Sequence, residues 1–338
     1  MRAIQIVAAG KTQLVEIEKP VLKPGHVLLK VGYVGFCGSD LNTFRGLNPL
    51  VKLPIIPGHE IGAVIEAVAD DAPYYLKEGM HATLNPYTQC RQCPACLKGR
   101  SNACEWNETL GVQRNGAMAE YILAPWDKVL ADDTLPVRDF ALVEPLSVGF
   151  HAVNRADVNK EDTVLVLGCG MIGIGVIICA VKRGAKVIAT DIDDDKLNMA
   201  KRLGATFTIN SLKENLHEHV WEITGNHGAD VVFEAVGRPE TCLSSVSEVA
   251  FTGRIVFIGY AKEKISFDTT AFVKKELNII GSRNAMPQDI EEVIEYMKHG
   301  KCPVDDLISG IYKPEKAQIA LENWAQNPGK IFRIFLSW

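Results

Sequence analysis

The chain has 338 residues, 47% hydrophobic and 23% charged, which excludes disorder as its main state and leaves room for two domains. Its formal net charge is −5 and Lys and Arg are scattered, which argues against nucleic acid or an anionic membrane surface as the main partner. The N-terminus, Met1 to Val7, alternates like a strand and has no long apolar run, so it does not read as a signal peptide.

Residues 1 to about 148 carry short alternating runs broken by Gly and Pro, such as Val27–Val34, Gly62–Val68 and Ala119–Leu123. This predicts a mostly β region whose loops hold the cysteines. A helix entry is expected at Ala141–Ala152, around Pro145 and Leu146. Strands and helices then alternate. Strands are expected at Thr163–Leu167, Lys186–Asp191, Thr206–Ile209, Val231–Glu234, Arg254–Ile258 and Leu277–Gly281. Helices are expected at Met171–Arg183, Asp193–Leu203, Leu212–Thr224 and Pro239–Ala250. Such alternation means an α/β unit with a doubly wound parallel sheet. Two more helices, Pro287–His299 and Glu315–Asn327, precede a strand-like tail, Lys330–Trp338. The stretch Thr163–Val181 carries no charge and is nominally long enough to span a bilayer. Its β-branched run, closely spaced glycines and second apolar run read instead as a buried strand, turn and helix. The expected compartment is the cytoplasm.

That turn is Gly168-Cys169-Gly170-Met171-Ile172-Gly173. It follows a strand, opens a helix, and is followed by an acidic residue, Asp191, at the end of the next strand. This is the dinucleotide-binding arrangement. Gly168 permits the turn, Gly170 admits the pyrophosphate, Gly173 lets helix and strand approach, and the helix N-terminus at Met171 and Ile172 faces the negative charge. Asp191 suits ribose hydroxyls and repels a 2′-phosphate, and Ile192, Asp193, Asp194 and Asp195 supply no Arg after it. The expected cofactor is therefore NAD rather than NADP.

The chain has nine cysteines, and four lie in one loop as Cys90-x2-Cys93-x2-Cys96-x7-Cys104. In a cytosolic protein this pattern favours metal over disulfides. Four thiolates at these spacings close a tetrahedron around zinc with no open position, which is a structural site. A second group is Cys37, His59, Glu60 and Glu144. Taken singly, each reads as a core or surface side chain. Together they offer one sulfur, one nitrogen and two carboxylates, which suits zinc with an exchangeable water.

The order Cys37-Gly-Ser39-Asp40, Gly58-His59-Glu60, the four-cysteine loop, Glu144-Pro-Leu-Ser and then GxGxxG resembles the zinc-containing medium-chain alcohol dehydrogenases over nearly the whole chain. Glu144, where simple alcohol enzymes usually carry Cys, places the resemblance nearer the polyol, threonine and sugar-acid branch. Gly281-Ser-Arg283-Asn284-Ala285 looks like dehydrogenases of hexonates such as L-galactonate or L-gulonate. The resemblance implies a GroES-like catalytic domain over residues 1–148 and 287–338, with a structural zinc lobe near 88–106. It implies a Rossmann NAD-binding domain over 149–286. It also implies two zincs per chain, with Cys37, His59 and either or both of Glu60 and Glu144 on the catalytic one, and a homodimer or homotetramer.

The resemblance further implies a small-molecule secondary alcohol oxidised to a ketone, with hydride passing to NAD in a dry cleft. Ser39 and Glu60 are the candidate catalytic residues, with Ser39 taking the alcohol proton. Many relatives carry His three residues after that Ser; here the position is Asn42, which has no basic atom. Arg283, with Asn284 beside it, is the candidate contact for a substrate carboxylate. Arg45 and Lys52 stand behind it, and Asn48, Gln113 and Asn115 are weaker candidates for sugar hydroxyls. The alternatives are a sorbitol- or galactitol-type polyol dehydrogenase, a threonine dehydrogenase and, from another class, a non-catalytic NAD-binding regulatory protein.

Overall fold

The computed structural model describes all 338 residues, and the chain divides into two compact units. One comprises Met1–Pro145 with Met286–Trp338, the other Leu146–Ala285.

In the first unit, β1 (Arg2–Ala8) and β2 (Lys11–Glu16) form an antiparallel pair. Then come β3 (His26–Phe36), β4 (Glu60–Val68), β5 (His81–Leu84), β6 (Tyr121–Pro125) and β7 (Val129–Ala131). The eleven-residue β3 organises this sheet. Along one edge it pairs with β4 from Val27 to Gly35. Its N-terminal half also pairs with β6.

The second unit holds β8 (Thr163–Leu167), β9 (Lys186–Asp191), β10 (Phe207–Asn210), β11 (Ala229–Glu234), β12 (Val249–Phe257) and β13 (Asn278–Gly281). They form one parallel sheet in the order β10-β9-β8-β11-β12-β13. This is the doubly wound order, with its reversal between β8 and β11. Val164–Leu167, Val187–Ala189 and Val231–Phe233 are continuously buried, as expected of strands covered on both faces. The uncharged stretch is β8, the glycine turn and the helix Met171–Lys182, and no helix of the chain is long and apolar enough to cross a membrane.

The chain then returns to the first sheet through β14 (Ile308–Tyr312) and β15 (Arg333–Ser337). β15 pairs with the C-terminal half of β3, from Tyr33 to Phe36. The helix Ala317–Gln326 places Ala317, Ala320, Leu321 and Trp324 on this unit's core, an i, i+3, i+4, i+7 stripe.

Several elements depart from the sequence reading; the helix expected from Leu212 begins at Leu216, and Gly38–Phe44 is an unexpected short helix. β12 begins at Val249, five residues before the expected Arg254, because the Phe251-Thr-Gly253 segment mimics a turn. Thr252 takes a φ of 61° there, and the strand continues across a register shift against β11. The short helix Thr269–Lys274, capped by the Asp268 side chain, and β14 lack an apolar period long enough to read.

Gly173 is where helix and strand press closest. A Cβ built on it would lie 1.8 Å from the Gly168 carbonyl oxygen. Gly173→Ala should therefore destabilise the second unit by about 1–3 kcal/mol and weaken dinucleotide binding. Urea denaturation and NADH fluorescence titration read the two effects, and wild-type values in both would contradict the close-packing argument.

Candidate active site

The site is built where β3 ends and β4 begins. Cys37 follows β3 and caps the short helix Gly38–Phe44. Its backbone N–H donates to Asp40 Oδ2 at 2.8 Å, so the fully buried Asp40 carboxylate fixes the turn that presents the thiol. Glu60 opens β4 and His59 directly precedes it, across the ladder from β3, where Gly35 is the register partner of Glu60. A Cβ on Gly35 would lie 2.3 Å from Glu60 Oε2, so the missing side chain is the space that the carboxylate occupies.

The cation facing Glu60 comes from the far end of the chain. Arg333 opens β15, and its Nε lies 3.1 Å from Glu60 Oε2 in an ion pair with both side chains buried. Its Nη1 donates to the Phe36 carbonyl at 2.8 Å. No sequence motif marked Arg333; strand pairing alone brings it here.

Cys37, His59 and Glu60 carry ligand atoms that all lie within 4.8 Å of one another. Burial holds the Glu60 carboxyl above its ordinary range; Glu144 and Asp40 push the same way, and Arg333 and His59 oppose. Burial also raises Asp40, against His59, the Cys37 N–H and Arg333. Burial disfavours a charged His59, yet Cys37, Glu144 and Asp40 together lift its pKa well above the usual value. Ser39 Oγ, His59 Nδ1 and both Glu60 oxygens are buried without a hydrogen-bond partner. Excess acidic groups and orphaned ligand atoms around one point are what a bound divalent cation resolves, and a thiolate, an imidazole and a carboxylate suit zinc with an open position.

Glu144 lies beside this trio in the first turn of the helix Val143–Ala156. It is buried, and Tyr87 Oη donates to its Oε1. Burial first, and then the Glu144 charge, raise the Tyr87 phenol well above its ordinary pKa, so it stays a donor. The sequence offered no signal for Tyr87, an aromatic in an Asn-Pro-Tyr turn.

The four lobe cysteines also converge, with all four Sγ atoms within 4.8 Å. Cys90 and Cys96 are 4.0 Å apart, as are Cys93 and Cys104. A tetrahedron with Zn–S bonds of about 2.3 Å has edges of about 3.8 Å, so the geometry fits a four-thiolate zinc. Cys90 N–H donates to Cys104 Sγ and Cys93 N–H to Cys90 Sγ, each at 3.3 Å. The backbone amides of Cys96 and Glu105 pull the Cys93 thiol down to about 6.

In the second unit, Gly168 turns after β8 with a φ of 95°. Gly170 caps the helix that begins at Met171 and Ile172, and a Cβ on it would meet nothing within 4 Å. The fold itself therefore does not demand a glycine at 170, whereas a backbone-hugging pyrophosphate does. Asp191 Oδ2 accepts from Cys169 N–H at 2.7 Å, and its Oδ1 accepts from Ile192 and Asp193 N–H at 2.8 and 3.1 Å. The carboxylate is thus held at the C-terminal end of β9, beside the glycine turn. Asp193 caps the next helix, which accounts for that member of the acidic run.

Arg283 and Asn284 follow β13 at the C-terminal end of the same parallel sheet, where such folds bind ligands, and Asn284 takes a φ of 56°. Arg45 Nη2 donates to the Ala325 carbonyl. Asn48 bonds within its own loop, to the Thr43 hydroxyl and the Leu50 amide. Gln113 and Asn115 accept from the Thr109 and Ile56 amides. These last three side chains serve as loop ties.

Comparison with known proteins agrees with this geometry. Residues 23–134 match the alcohol dehydrogenase GroES-like domain, and residues 172–299 match the zinc-binding dehydrogenase domain. The chain is 32% identical over 296 residues to L-galactonate-5-dehydrogenase of Escherichia coli, covering 87% of this chain and 86% of that protein. Galactitol-1-phosphate dehydrogenase of Escherichia coli superposes with a TM-score of 0.92 at 28% identity, over 100% of both chains. An Escherichia coli alcohol dehydrogenase solved with NADH superposes with a TM-score of 0.92 at 26% identity, over 100% of this chain and 99% of that one. The fold and site thus define an oxidoreductase acting on CH–OH groups. The chain belongs to the zinc-type medium-chain alcohol dehydrogenases, in their polyol and sugar-acid branch.

Arg333→Met should destabilise chelator-treated protein by about 3–5 kcal/mol, because it leaves Glu60 buried and unpaired. Adding Glu60→Gln should recover most of the loss. Urea denaturation of the two variants checks this, and additive losses would contradict the pairing.

Proposed function

We propose that this protein oxidises a secondary alcohol of a sugar acid, a hexonate such as L-galactonate or L-gulonate, to a ketone, with NAD as hydride acceptor and two zincs per chain. The observation that carries the reading is the convergence of Cys37, half-buried, with the buried His59 and Glu60, whose ligand atoms lack hydrogen-bond partners. The sugar-acid assignment draws on the likeness to L-galactonate-5-dehydrogenase and on Arg283, whose guanidinium pairs a carboxylate through two parallel hydrogen bonds.

Zinc held by the trio would supply Lewis acidity at the alcohol oxygen, and NAD would supply the hydride acceptor. Cys37, His59 and Glu60 hold the catalytic metal, and Cys90, Cys93, Cys96 and Cys104 hold the structural one. Gly168, Gly170, Met171, Ile172 and Gly173 cradle the pyrophosphate through backbone amides. Asp191 accepts from the ribose hydroxyls and repels a 2′-phosphate, which selects NAD over NADP. Ser39 Oγ, buried and without a protein partner, takes the alcohol proton. Asn42 has no basic atom, so as Ser39 takes the alcohol proton it gives its own hydroxyl proton to the cofactor ribose hydroxyl and water, or to Glu60. Arg283 and Asn284 are the proposed substrate contacts. The enzyme works in the cytoplasm as a homodimer or homotetramer, and β13 offers an open sheet edge for subunit pairing.

Zinc-replete protein should bind two zincs and Cys37→Ser one, with NADH binding kept and turnover lost. Two zincs and full turnover in Cys37→Ser would refute the catalytic site, and one zinc in the wild type would favour a non-catalytic protein. NADH formation should appear with one hexonate and NAD, and far less with NADP. Arg283→Ala should raise KM for that acid by about 10-fold or more, the scale of a lost charge-assisted bond, and leave KM for a neutral polyol unchanged. Turnover of sorbitol, galactitol or threonine alone would keep the zinc chemistry and reject the sugar acid.

A further inference from the structure

Two buried carboxylates stand near His59: Glu60, which shares its cluster with Cys37, and Glu144, whose charge reaches the imidazole. Only Glu60 joins the trio with Cys37 and His59. The two are restrained differently. Glu60 faces the Arg333 guanidinium and is wedged into the space left by Gly35. Glu144 instead accepts from Tyr87 Oη.

Tyr87 is well placed to act as a fixed donor. Its ring is buried, its backbone N–H donates to Asn85 Oδ1 at 3.1 Å, and it bridges to Thr109 across the loop. A phenol has one proton to give, and here it goes to Glu144. A catalytic zinc keeps a position for substrate only if the protein stops at three ligands. A second carboxylate swinging in would close the set.

We propose that Tyr87 is a positioning residue: its hydrogen bond holds Glu144 outside the metal's ligand set and so keeps one position open for the substrate oxygen. The inference rests on the reading that Cys37, His59 and Glu60 hold zinc. It assigns Glu60 as the resting ligand and Glu144 as a restrained reserve. With Phe at position 87, Glu144 is a buried carboxylate that has lost this donor, and its attraction to the nearby cation is less opposed.

The test uses full-length cobalt-substituted protein. The catalytic cobalt band is the part of the visible spectrum lost in Cys37→Ser. In Tyr87→Phe this band should shift, and its metal should be lost to a chelator about 10-fold more slowly, the scale of one hydrogen bond to a charged group. Adding Glu144→Gln should restore the wild-type rate. Glu144→Gln alone should leave the band in place, whereas Glu60→Gln should move it. A wild-type band and release rate in Tyr87→Phe would overturn the proposal, as would slow release that persists in the double variant. If Tyr87→Phe fails to fold, Glu144→Gln decides: an unmoved band supports the proposal and a shifted one overturns it. A wild-type spectrum that loses nothing in Cys37→Ser would refute the metal reading itself, a different failure from that of Tyr87.

Discussion

The structure of the first unit depends on a local excess of buried acid. The buried carboxyls Asp40, Glu60 and Glu144, with the half-buried Cys37 thiol beside them, surround one histidine, His59, and one arginine, Arg333. Burying carboxylates without balancing charge or hydrogen bonds is costly. The fold meets part of that cost with Arg333, with the Cys37 amide on Asp40 and with the Tyr87 phenol on Glu144. The remainder lies at the trio, where His59 Nδ1 and the Glu60 oxygens have no hydrogen-bond partner beyond the Arg333 ion pair. A bound divalent cation is the economical answer to that imbalance. The strands that bring it about are β3, β4 and β15, which meet through Gly35, Glu60 and the stretch around Phe36.

The second unit follows a different constraint: a backbone that must come close. Gly173 lets the first helix press against the glycine turn, and Gly170 leaves open space above the helix N-terminus. Asp191 ties the turn to the end of β9 through the Cys169 amide. One carboxylate thus stiffens the loop and marks the edge of the proposed cofactor site, which is why its position at a strand end matters as much as its charge.

What could be read in advance follows how far apart the interacting residues are in sequence. The lobe cysteines lie within fifteen positions, and their spacing alone signals convergence. The glycine turn and the strands β8 and β9 lie close together, and their apolar runs are continuous enough to read. Cys37, His59 and Glu60 become a site only when strand pairing joins them, so their motif carried the reading where spacing could not. Arg333 was invisible because Lys330–Trp338 reads as a strand with no sign of its partner. Tyr87 and Gly35 were missed because one resembles an ordinary turn aromatic and the other an ordinary strand glycine. Their roles exist only in the geometry of Glu144 and Glu60. Thr252 misled in the opposite sense, since a left-handed residue inside β12 imitates the turn that would start a shorter strand.

The central claim is that the charge imbalance around Cys37, His59 and Glu60 exists to hold a metal. Zinc-edge anomalous diffraction from crystals of the purified protein tests it most directly. The account predicts two peaks per chain, one inside the four lobe cysteines and one bonded to Cys37 Sγ, His59 and Glu60, with Glu144 still on Tyr87. A single peak in the lobe, from zinc-replete crystals with Glu60 still against Arg333, would contradict it.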